Sequence, residues 1–318
     1  MYRTTRRDFL KGAVAAGAGA TVALSGFGGG RLLGGEDKPG FEDQFCKCNE
    51  TFVDWPQGKI AKFVAKCGYK AIEIAPFTIS QFVTDVPQKR RERIRKAYED
   101  AGLKVAGLHW ILSKTEGFHL TSPDQDVRKA TAKYLCDLGQ FCSDLGGDVM
   151  VFGSPKQRNL LEGVTMEQGM TWASEVLKES MPTMDRLGVT IALEPLGGKE
   201  TNFLRYAAEA VELAERVASP HCKMMLDCKA MTAESKSMPE LIHEFKDWMF
   251  HFHANDPNLR GPGMGDLDFA PIFQALHEID YKRWISVEVF DYAPGAEALA
   301  KESIDYMRKI EAQLKKSH

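Results

Sequence analysis

Four short apolar runs in the second half of the chain each end in an acidic or imidazole residue: Glu194, Asp227, His253 and Glu288. An isolated charge inside an apolar strand is expensive to bury, and a shared divalent cation removes that cost. Three carboxylates and one imidazole suit Mn²⁺ first, with Mg²⁺ or Co²⁺ as alternatives. Any one of these residues alone is more often a member of a structural ion pair, but four in succession predict a single divalent metal site.

Such a site permits proton transfer next to a carbonyl group. Taking a proton from the neighbouring carbon requires a base and a positive group that stabilises the enediolate oxygen, which a divalent cation provides. Glu194 and Glu288 are the predicted catalytic pair, because one can remove a proton on one face of a ligand while the other delivers one to the opposite face. That outcome is epimerisation, whereas return of the proton to the adjacent carbon is aldose–ketose isomerisation, and both stay open.

Three residues on earlier apolar runs are candidates for contact with a substrate. His109 and Trp110 end the third run, as a polar group and an aromatic wall, with packing at the rim as the alternative for both. Glu73, in the second run, is a candidate for orienting a substrate hydroxyl group. His251 lies deeper on the strand that carries the metal-binding histidine, and we expect it to be a core or supporting histidine.

The elements that must position these residues alternate regularly along the chain after residue 40. Short apolar runs bounded by turn residues predict eight strands, with segments of helical spacing between them. The predicted strands are 43–49, 71–76, 105–110, 148–155, 189–196, 223–227, 249–253 and 284–290, and the clearest helices are 87–101, 124–145, 166–187, 204–217 and 271–279. Glycines such as Gly68, Gly102 and Gly188 are typical of the turn from a helix into the next strand.

Eight such units in a chain of 318 residues predict a single (β/α)8 TIM barrel of the α/β class. No GxGxxG motif follows the first strand, so an open dinucleotide-binding sheet lacks its usual support. Because no later change of composition marks a linker, we expect one barrel domain over residues 36–318. In a TIM barrel the active site lies at the carboxyl ends of the strands, where the four candidate ligands stand.

The order and spacing of these residues resemble the xylose-isomerase-like barrel superfamily, and within it the ketose 3-epimerases of the tagatose/psicose type. The resemblance covers residues 41–318 and includes the motifs Glu194-Pro195-Leu196 with Glu200, His251-Phe252-His253, and Gly261-Pro262-Gly263-Met264-Gly265 followed by Asp268-Phe269. It implies that the four candidate ligands bind one divalent metal and that both glutamates are acid/base catalysts. It also implies a small sugar or keto-sugar substrate, with Glu200 among its contacts.

The chain departs from the family pattern at two positions that bind substrate hydroxyl groups. The epimerases have a histidine three residues after the metal aspartate, where this chain has Ala230 preceded by Lys229. They have an arginine in the loop after the metal histidine, where this chain has Leu259 followed by Arg260. We expect Lys229 and Arg260 to be substrate contacts, while the identity of the sugar stays open.

The first 35 residues resemble a twin-arginine export signal with a linker. The segment Thr4-Thr5-Arg6-Arg7-Asp8-Phe9-Leu10-Lys11 precedes a weakly apolar Ala/Gly run that ends near Phe27. The run is shorter than the ~20 residues that a spanning helix needs, so we expect no stable membrane anchor. The resemblance implies export of the folded protein to the periplasm or another extracytoplasmic space.

Composition and charge exclude several other classes of protein. Hydrophobic residues make up 44% and charged residues 27% of the chain, as in soluble globular proteins rather than disordered or polytopic membrane chains. A net charge of −3 gives no basis for a nucleic-acid partner. The seven cysteines are scattered and too few for a disulfide scaffold, and the pair Cys46 and Cys48 lacks partners at zinc-site spacing.

Three other functions on the same barrel are alternatives to an isomerase or epimerase. A lyase or hydrolase of 3-keto-glycosides would use the same proton abstraction to expel a leaving group. An AP-endonuclease-like enzyme is remote, because it needs further metal-binding histidines where this chain has Ser154 and Ala230. A non-catalytic sugar-binding barrel would not need both glutamates. We also expect that phosphorylated sugars are not preferred, and a homo-oligomer is left open.

Overall fold

The structure, a computed structural model, describes residues 40–316, and the predicted export signal lies outside the described residues. Eight parallel strands close into a barrel in chain order, with β1 hydrogen-bonded to β8. The strands are β1 Phe45–Cys48, β2 Ala71–Ile74, β3 Lys104–Leu108, β4 Val149–Phe152, β5 Thr190–Leu193, β6 Cys222–Asp227, β7 Met249–Ala254 and β8 Ile285–Val287. The prediction of a single (β/α)8 barrel is confirmed.

Several of the helices that cover the barrel begin at capping residues and end at glycines. The helices are α1 Gln57–Cys67, α2 Gln88–Glu99, α3 Gln125–Leu145, α4 Met166–Leu187, α5 Ala207–Val217, α6 Cys228–Met231, α7 Met238–Glu244, α8 Ala270–Glu278 and α9 Ala296–Leu314. A capping box of Thr165 and Gln168 begins α4. Gly68 and Gly188 end α1 and α4 in the left-handed conformation that glycine adopts without strain.

Side chains inside the barrel change from apolar to polar toward the carboxyl ends of the strands. Val151, Ala192 and Met225 form a small apolar layer within the barrel. Because alternate residues of a strand share a face, the residues two positions further on point into the same interior. Those residues include Glu194 after Ala192 and Asp227 after Met225, so the strand pattern itself carries the carboxylates to the barrel mouth.

Six of the eight strands end earlier at the carboxyl side than the sequence predicts, whereas β6 ends at Asp227 as predicted and β7 continues to Ala254. β5 ends at Leu193 and β8 at Val287, so Glu194 and Glu288 are the first residues beyond their strands. Among the described residues, no helix is long and apolar enough to cross a membrane. The cysteines form no disulfide in this part of the chain, and all but Cys67 and Cys136 are buried.

Candidate metal centre

The four predicted ligands converge at the carboxyl end of the barrel. Glu194, Asp227, His253 and Glu288 each offer one ligand atom, and these atoms all lie within 4.8 Å of one another. His253 Nδ1 is 3.0 Å from Glu288 Oε2 and 3.8 Å from Glu194 Oε1. All four residues are buried, with exposed fractions of 2% or less. We call these four residues the cluster, and their ligand atoms lie close enough together that one metal ion could contact all four.

Strand register and one glycine bring the cluster together. Asp227 pairs with His253 across β6 and β7, and His253 pairs with Ser286, two residues before Glu288, across β7 and β8. Glu194 needs room beside the end of β4, where the chain has Gly153. A Cβ atom at this glycine would overlap Glu194 Oε2. The absence of a side chain at residue 153 therefore leaves the room that the Glu194 carboxylate occupies.

The cluster holds more negative than positive charge. Burial, and then the charge of Glu288, raises the pKa of Glu194 well above its ordinary value and also raises the pKa of Asp227. Against the effect of burial, the neighbouring His253 lowers the pKa of Glu288, and Glu288 in turn raises that of His253. A divalent cation would relieve this repulsion, and the donor set of carboxylate oxygens with one imidazole nitrogen fits such an ion.

Glu73 lies inside the barrel on β2 and contacts both histidines of β7. Its fully buried carboxylate is 2.8 Å from His251 Nε2 and 3.3 Å from His253 Nε2. His253 therefore directs Nδ1 toward the cluster and Nε2 toward a carboxylate, the arrangement that orients many histidine ligands. The substrate contact expected of Glu73 stays a prediction, and in this structure its carboxylate oxygens contact the two histidine rings instead. His251 is buried, as expected of a supporting histidine.

His109 and Trp110 directly follow β3 and lie beside Glu288. Trp110 Nε1 donates to Glu288 Oε1 at 2.6 Å, and His109 Nδ1 lies 3.5 Å from the same oxygen. Trp110 has a φ of 51°, in the left-handed region that non-glycine residues seldom adopt. His109 Nε2 is 3.3 Å from Oε2 of Glu50, a buried carboxylate that the sequence analysis missed. Its signal was its position two residues after β1, at the same edge as the other candidates.

Lys229 and Glu200 form an ion pair at the rim of the site. Lys229 Nζ is 2.7 Å from Glu200 Oε1 and 4.0 Å from the centre of the Phe290 ring. The structure thus brings together two residues that the sequence nominated as substrate contacts. Arg260 instead pairs with Asp291, at 2.9 Å, and its role in substrate binding stays a prediction.

Arg158 is a second residue that the sequence analysis missed. Its guanidinium group is fully buried and donates to the carbonyl oxygens of Phe152, at 2.8 Å, and Leu204, at 3.4 Å. Burial lowers its pKa to about 10, so it keeps its charge at neutral pH, where it opposes the negative charge of Glu194. Nothing in the local sequence distinguishes this arginine from an exposed loop residue.

Comparison with known proteins now assigns the family. A family model described as a xylose isomerase-like TIM barrel matches residues 61–310, which is most of the chain. The chain therefore belongs to the xylose isomerase-like TIM barrel family.

Two of the similar proteins with names are a ketose 3-epimerase and a psicose 3-epimerase. The probable ketose 3-epimerase of Synechocystis is 25% identical over 218 residues, covering 64% of this chain and 76% of that protein. The D-psicose 3-epimerase of Agrobacterium fabrum is 28% identical over 255 residues, covering 74% and 82%. These relatives confirm the prediction of an isomerase-class enzyme.

Solved structures share the fold. D-psicose 3-epimerase in the presence of D-fructose has a TM-score of 0.74 at 20% identity. The 3-keto-D-glucoside 4-epimerase of E. coli has a TM-score of 0.73 at 17% identity. Each similarity covers 84% of this chain and 99% of the other chain. The barrel closed by β1 and β8 is thus the fold of both enzymes.

Proposed function

We propose that this protein is a divalent-metal-dependent epimerase or isomerase of a small ketose or keto sugar, and that it moves a proton on the carbon next to the carbonyl group. The observation that carries the proposal is the buried cluster, in which Glu194 and Glu288 both approach Nδ1 of His253. The relatives named as ketose and psicose 3-epimerases support the substrate class.

The cluster residues Glu194, Asp227, His253 and Glu288 would hold the cation, with Mn²⁺ as the first candidate. When bound, the cation would polarise the substrate carbonyl group and stabilise the negative charge that develops on its oxygen. The two glutamates differ in their electrostatic surroundings, since the pKa of Glu194 is raised and that of Glu288 is lowered. Because the two carboxylates come from different strand ends and both approach Nδ1 of His253, one could take a proton from the substrate carbon and the other could return one.

An aromatic wall and several polar groups would surround the substrate. Trp110 and Phe290 stack with ring centres 5.9 Å apart, and such a wall excludes water and packs against the C–H face of a sugar. The Lys229 and Glu200 ion pair, together with His109, offers donors and acceptors for hydroxyl groups. Because Lys229 replaces a family histidine, the preferred sugar need not be that of the named relatives.

Hydrogen exchange with solvent tests this proposal. Metal-loaded protein is incubated in D₂O with a panel of free ketoses and 3-keto-glycosides, and NMR locates any deuterium incorporated. We expect exchange at a carbon next to the carbonyl group, with inverted configuration or a shifted carbonyl in the product. Release of the glycosidic leaving group would identify the lyase alternative. Metal-loaded protein that exchanges no substrate hydrogen would contradict the proposal and indicate a sugar-binding protein.

We further propose that the protein is exported by the twin-arginine route, on the pattern of Arg6 and Arg7 before Phe9-Leu10-Lys11. Fusion of residues 1–40 to a reporter that folds in the cytoplasm tests this in a bacterium with the pathway. We expect the reporter in the periplasm, and we expect it to stay inside the cell when Arg6→Lys and Arg7→Lys are combined. Equal export of both fusions would contradict the proposal.

A further inference from the structure

Side chains from β1 and the turn after it hold the backbone on both sides of Glu288. β8 ends at Val287, so Glu288 stands just beyond the last residue of its strand. The Lys47 ammonium group donates a hydrogen bond to the Val287 carbonyl oxygen at 2.8 Å, and the Val289 N–H donates to Glu50 Oε1 at 3.4 Å. Both peptide groups that flank this cluster residue are therefore held by side chains of another strand end.

Lys47 is a fully buried cation that the proposed reaction does not use. It lies on β1 with an exposed fraction of 0%, and strand pairing places it opposite Val287 of β8. Its two hydrogen-bond acceptors, the Val287 carbonyl and the Thr51 hydroxyl group, are both neutral. Burial of a charged group costs free energy unless its surroundings compensate for it, so a lysine here calls for a reason beyond packing.

Thr51 connects Lys47 to Glu50. Its buried hydroxyl group accepts a hydrogen bond from Lys47 Nζ at 2.6 Å and donates one to Glu50 Oε1 at 3.1 Å. Burial raises the pKa of the Glu50 carboxyl, and the charge of Lys47 opposes that effect. Lys47 therefore supports Glu50 through the shared hydroxyl group and through its charge, and Glu50 in turn accepts the Val289 N–H.

Contacts at the Glu288 carboxylate orient the end of the side chain but not its backbone. Trp110 Nε1 donates to Oε1 at 2.6 Å, and His253 Nδ1 is 3.0 Å from Oε2. A carboxylate that ligates a cation and moves a proton must also be at the right distance from its partners, because a misplacement of about 1 Å can cost about 100-fold in rate. The backbone contacts from Lys47 and Glu50 meet that requirement.

We propose that Lys47 is a positioning residue for Glu288, and that together with Thr51 and Glu50 it sets the distance of the Glu288 carboxylate from the rest of the cluster. This inference rests on the proposed function, because it assigns the buried lysine to the site of that reaction. Lys47 acts through the Val287 carbonyl group and through Glu50, not on the substrate. A lysine that only stabilises the fold is the alternative that the experiment must exclude.

Substitutions at Lys47 and Thr51 test the inference on the sugar of the panel that exchanges fastest. Lys47→Met keeps the length of the side chain without the ammonium group, and Thr51→Val keeps the shape without the hydroxyl group. At saturating Mn²⁺, we expect kcat to fall by about 10- to 100-fold in Lys47→Met and by about tenfold in Thr51→Val, with KM within about twofold of the wild type. Thr51→Ser retains the hydroxyl group and should keep at least about half of the wild-type kcat.

Visible absorption of bound Co²⁺ gives a readout that does not depend on turnover. A displaced Glu288 carboxylate changes the ligand geometry, so the spectrum of Lys47→Met should differ from that of the wild type and its Co²⁺ affinity should fall by about tenfold. The spectrum of Thr51→Ser should match the wild type. Lys47→Met combined with Glu50→Gln removes both buried charges, so it should regain melting temperature relative to Lys47→Met without regaining kcat.

Thr190→Val, buried at the amino end of β5, and Lys70→Met, an exposed lysine before β2, are the matched controls and should change neither kcat nor the Co²⁺ spectrum. Lys47→Met and Thr51→Val proteins that melt at lower temperature but keep the wild-type kcat and spectrum would overturn the inference and leave the proposed function intact. If the wild type binds Co²⁺ but exchanges no substrate hydrogen, the proposed reaction fails, whereas an altered spectrum in Lys47→Met still supports the positioning of Glu288.

Discussion

Substitution of Glu194 and Glu288 distinguishes an enzyme from a sugar-binding barrel, because only an enzyme needs their acid/base chemistry. Both carboxylates approach the same nitrogen of His253, but their pKa values are shifted in opposite directions. Replacing either one by glutamine keeps the shape of the side chain and removes its acid/base chemistry. We expect turnover to fall by about 10²- to 10⁴-fold in Glu194→Gln and in Glu288→Gln, and metal affinity to fall far less.

The double variant checks that the two glutamates act on one proton path. Its loss should be about that of the worse single variant, because groups that act as a unit are not additive. Rates come from deuterium exchange, and metal content from elemental analysis of each variant. Losses that multiply in the double variant, or variants that change only sugar affinity, would contradict the assignment.

Glu73 is predicted to act through His253 rather than on substrate. Glu73→Gln leaves a neutral amide against His253 Nε2 in place of a carboxylate that accepts its proton. Loss of such a supporting carboxylate typically lowers metal affinity by about 10- to 100-fold. Titration with Co²⁺, followed by its visible absorption, measures both the affinity and the ligand geometry.

A matched control for Glu73 is Ser286→Ala. The Ser286 hydroxyl group contacts His251 Nε2 at 3.2 Å, so this change alters the same polar layer and leaves the contacts of the His253 ring with Glu73 and Glu288 in place. Its Co²⁺ affinity and spectrum should match those of the wild type. A Glu73→Gln protein with an unchanged spectrum and affinity would show that Glu73 only fills the barrel interior.

Residue types at strand ends were enough to predict the cluster, but not the groups around it. Glu194, Asp227, His253 and Glu288 were visible because each interrupts an apolar run. Glu50 was overlooked because it follows β1 in a turn, where a charged residue is unremarkable. It contacts His109 and Val289, which follow β3 and β8, and no local sequence pattern predicts these contacts.

At the scale of elements, the end of β4 controls the position of Glu194. A Cβ atom at Gly153 would overlap Glu194 Oε2, so Gly153→Ala requires that carboxylate to shift from its position in the cluster. A misplacement of about 1 Å can cost about 100-fold in rate, and we expect a loss of that order. The measurement is kcat at saturating metal, with the melting temperature as a check on folding.

Gly58→Ala in α1 is the control for this change, because nothing lies within 4 Å of a Cβ atom there. It should leave kcat unchanged and keep or slightly raise stability, since alanine favours a helix over glycine. Full activity in Gly153→Ala would mean that Glu194 can ligate from another rotamer, and the role given to β4 would be wrong.

The sequence predicted where the strands lie along the chain, but it did not predict the residues at which they end. The predicted strand 189–196 is observed as Thr190–Leu193, and the predicted strand 284–290 as Ile285–Val287. Apolar residues continue beyond the last hydrogen bond between neighbouring strands, because the loops at the carboxyl end of the barrel also bury their side chains. Pro195 and Leu196, for example, extend the apolar pattern into a loop that no longer pairs.

At the scale of the whole molecule, closure of the barrel brings together residues that are far apart in the sequence. Val289 N–H donates to Glu50 Oε1 across a separation of 239 residues, because β1 and β8 are adjacent in the ring. A cavity beside Trp110 is another product of closure, since its wall draws on residues that follow β1, β2, β3 and β8. The sequence predicts that the eight strands close into a barrel, but it does not predict the shape of the cavity at the barrel mouth.

The pKa shifts in the cluster give the metal-free protein a distinct pH dependence. Burial and then Glu288 raise the pKa values of Glu194 and Asp227, and Glu288 raises that of His253 despite burial. A raised pKa stabilises the fold below the unfolded value, about 4 for the carboxyls and 6.5 for His253, and this stability is lost as the pH rises through the folded value. Glu73 and Glu288 have lowered pKa values, whose stabilisation is lost only in acid.

The metal-free protein should therefore lose stability as the pH rises from about 5 to 8, and bound Mn²⁺ should reverse that trend, because the cation binds the deprotonated ligands. At a free concentration 100 times its Kd, the ion would add about 2.7 kcal/mol. Melting temperatures with chelator and with Mn²⁺, taken across this pH range, should diverge as the pH increases. Asp227→Asn combined with His253→Ala should bind no metal in elemental analysis and show no difference between the two curves. A constant gap at every pH in the wild type, or equal metal content in the wild type and the double variant, would mean that the ion is held elsewhere.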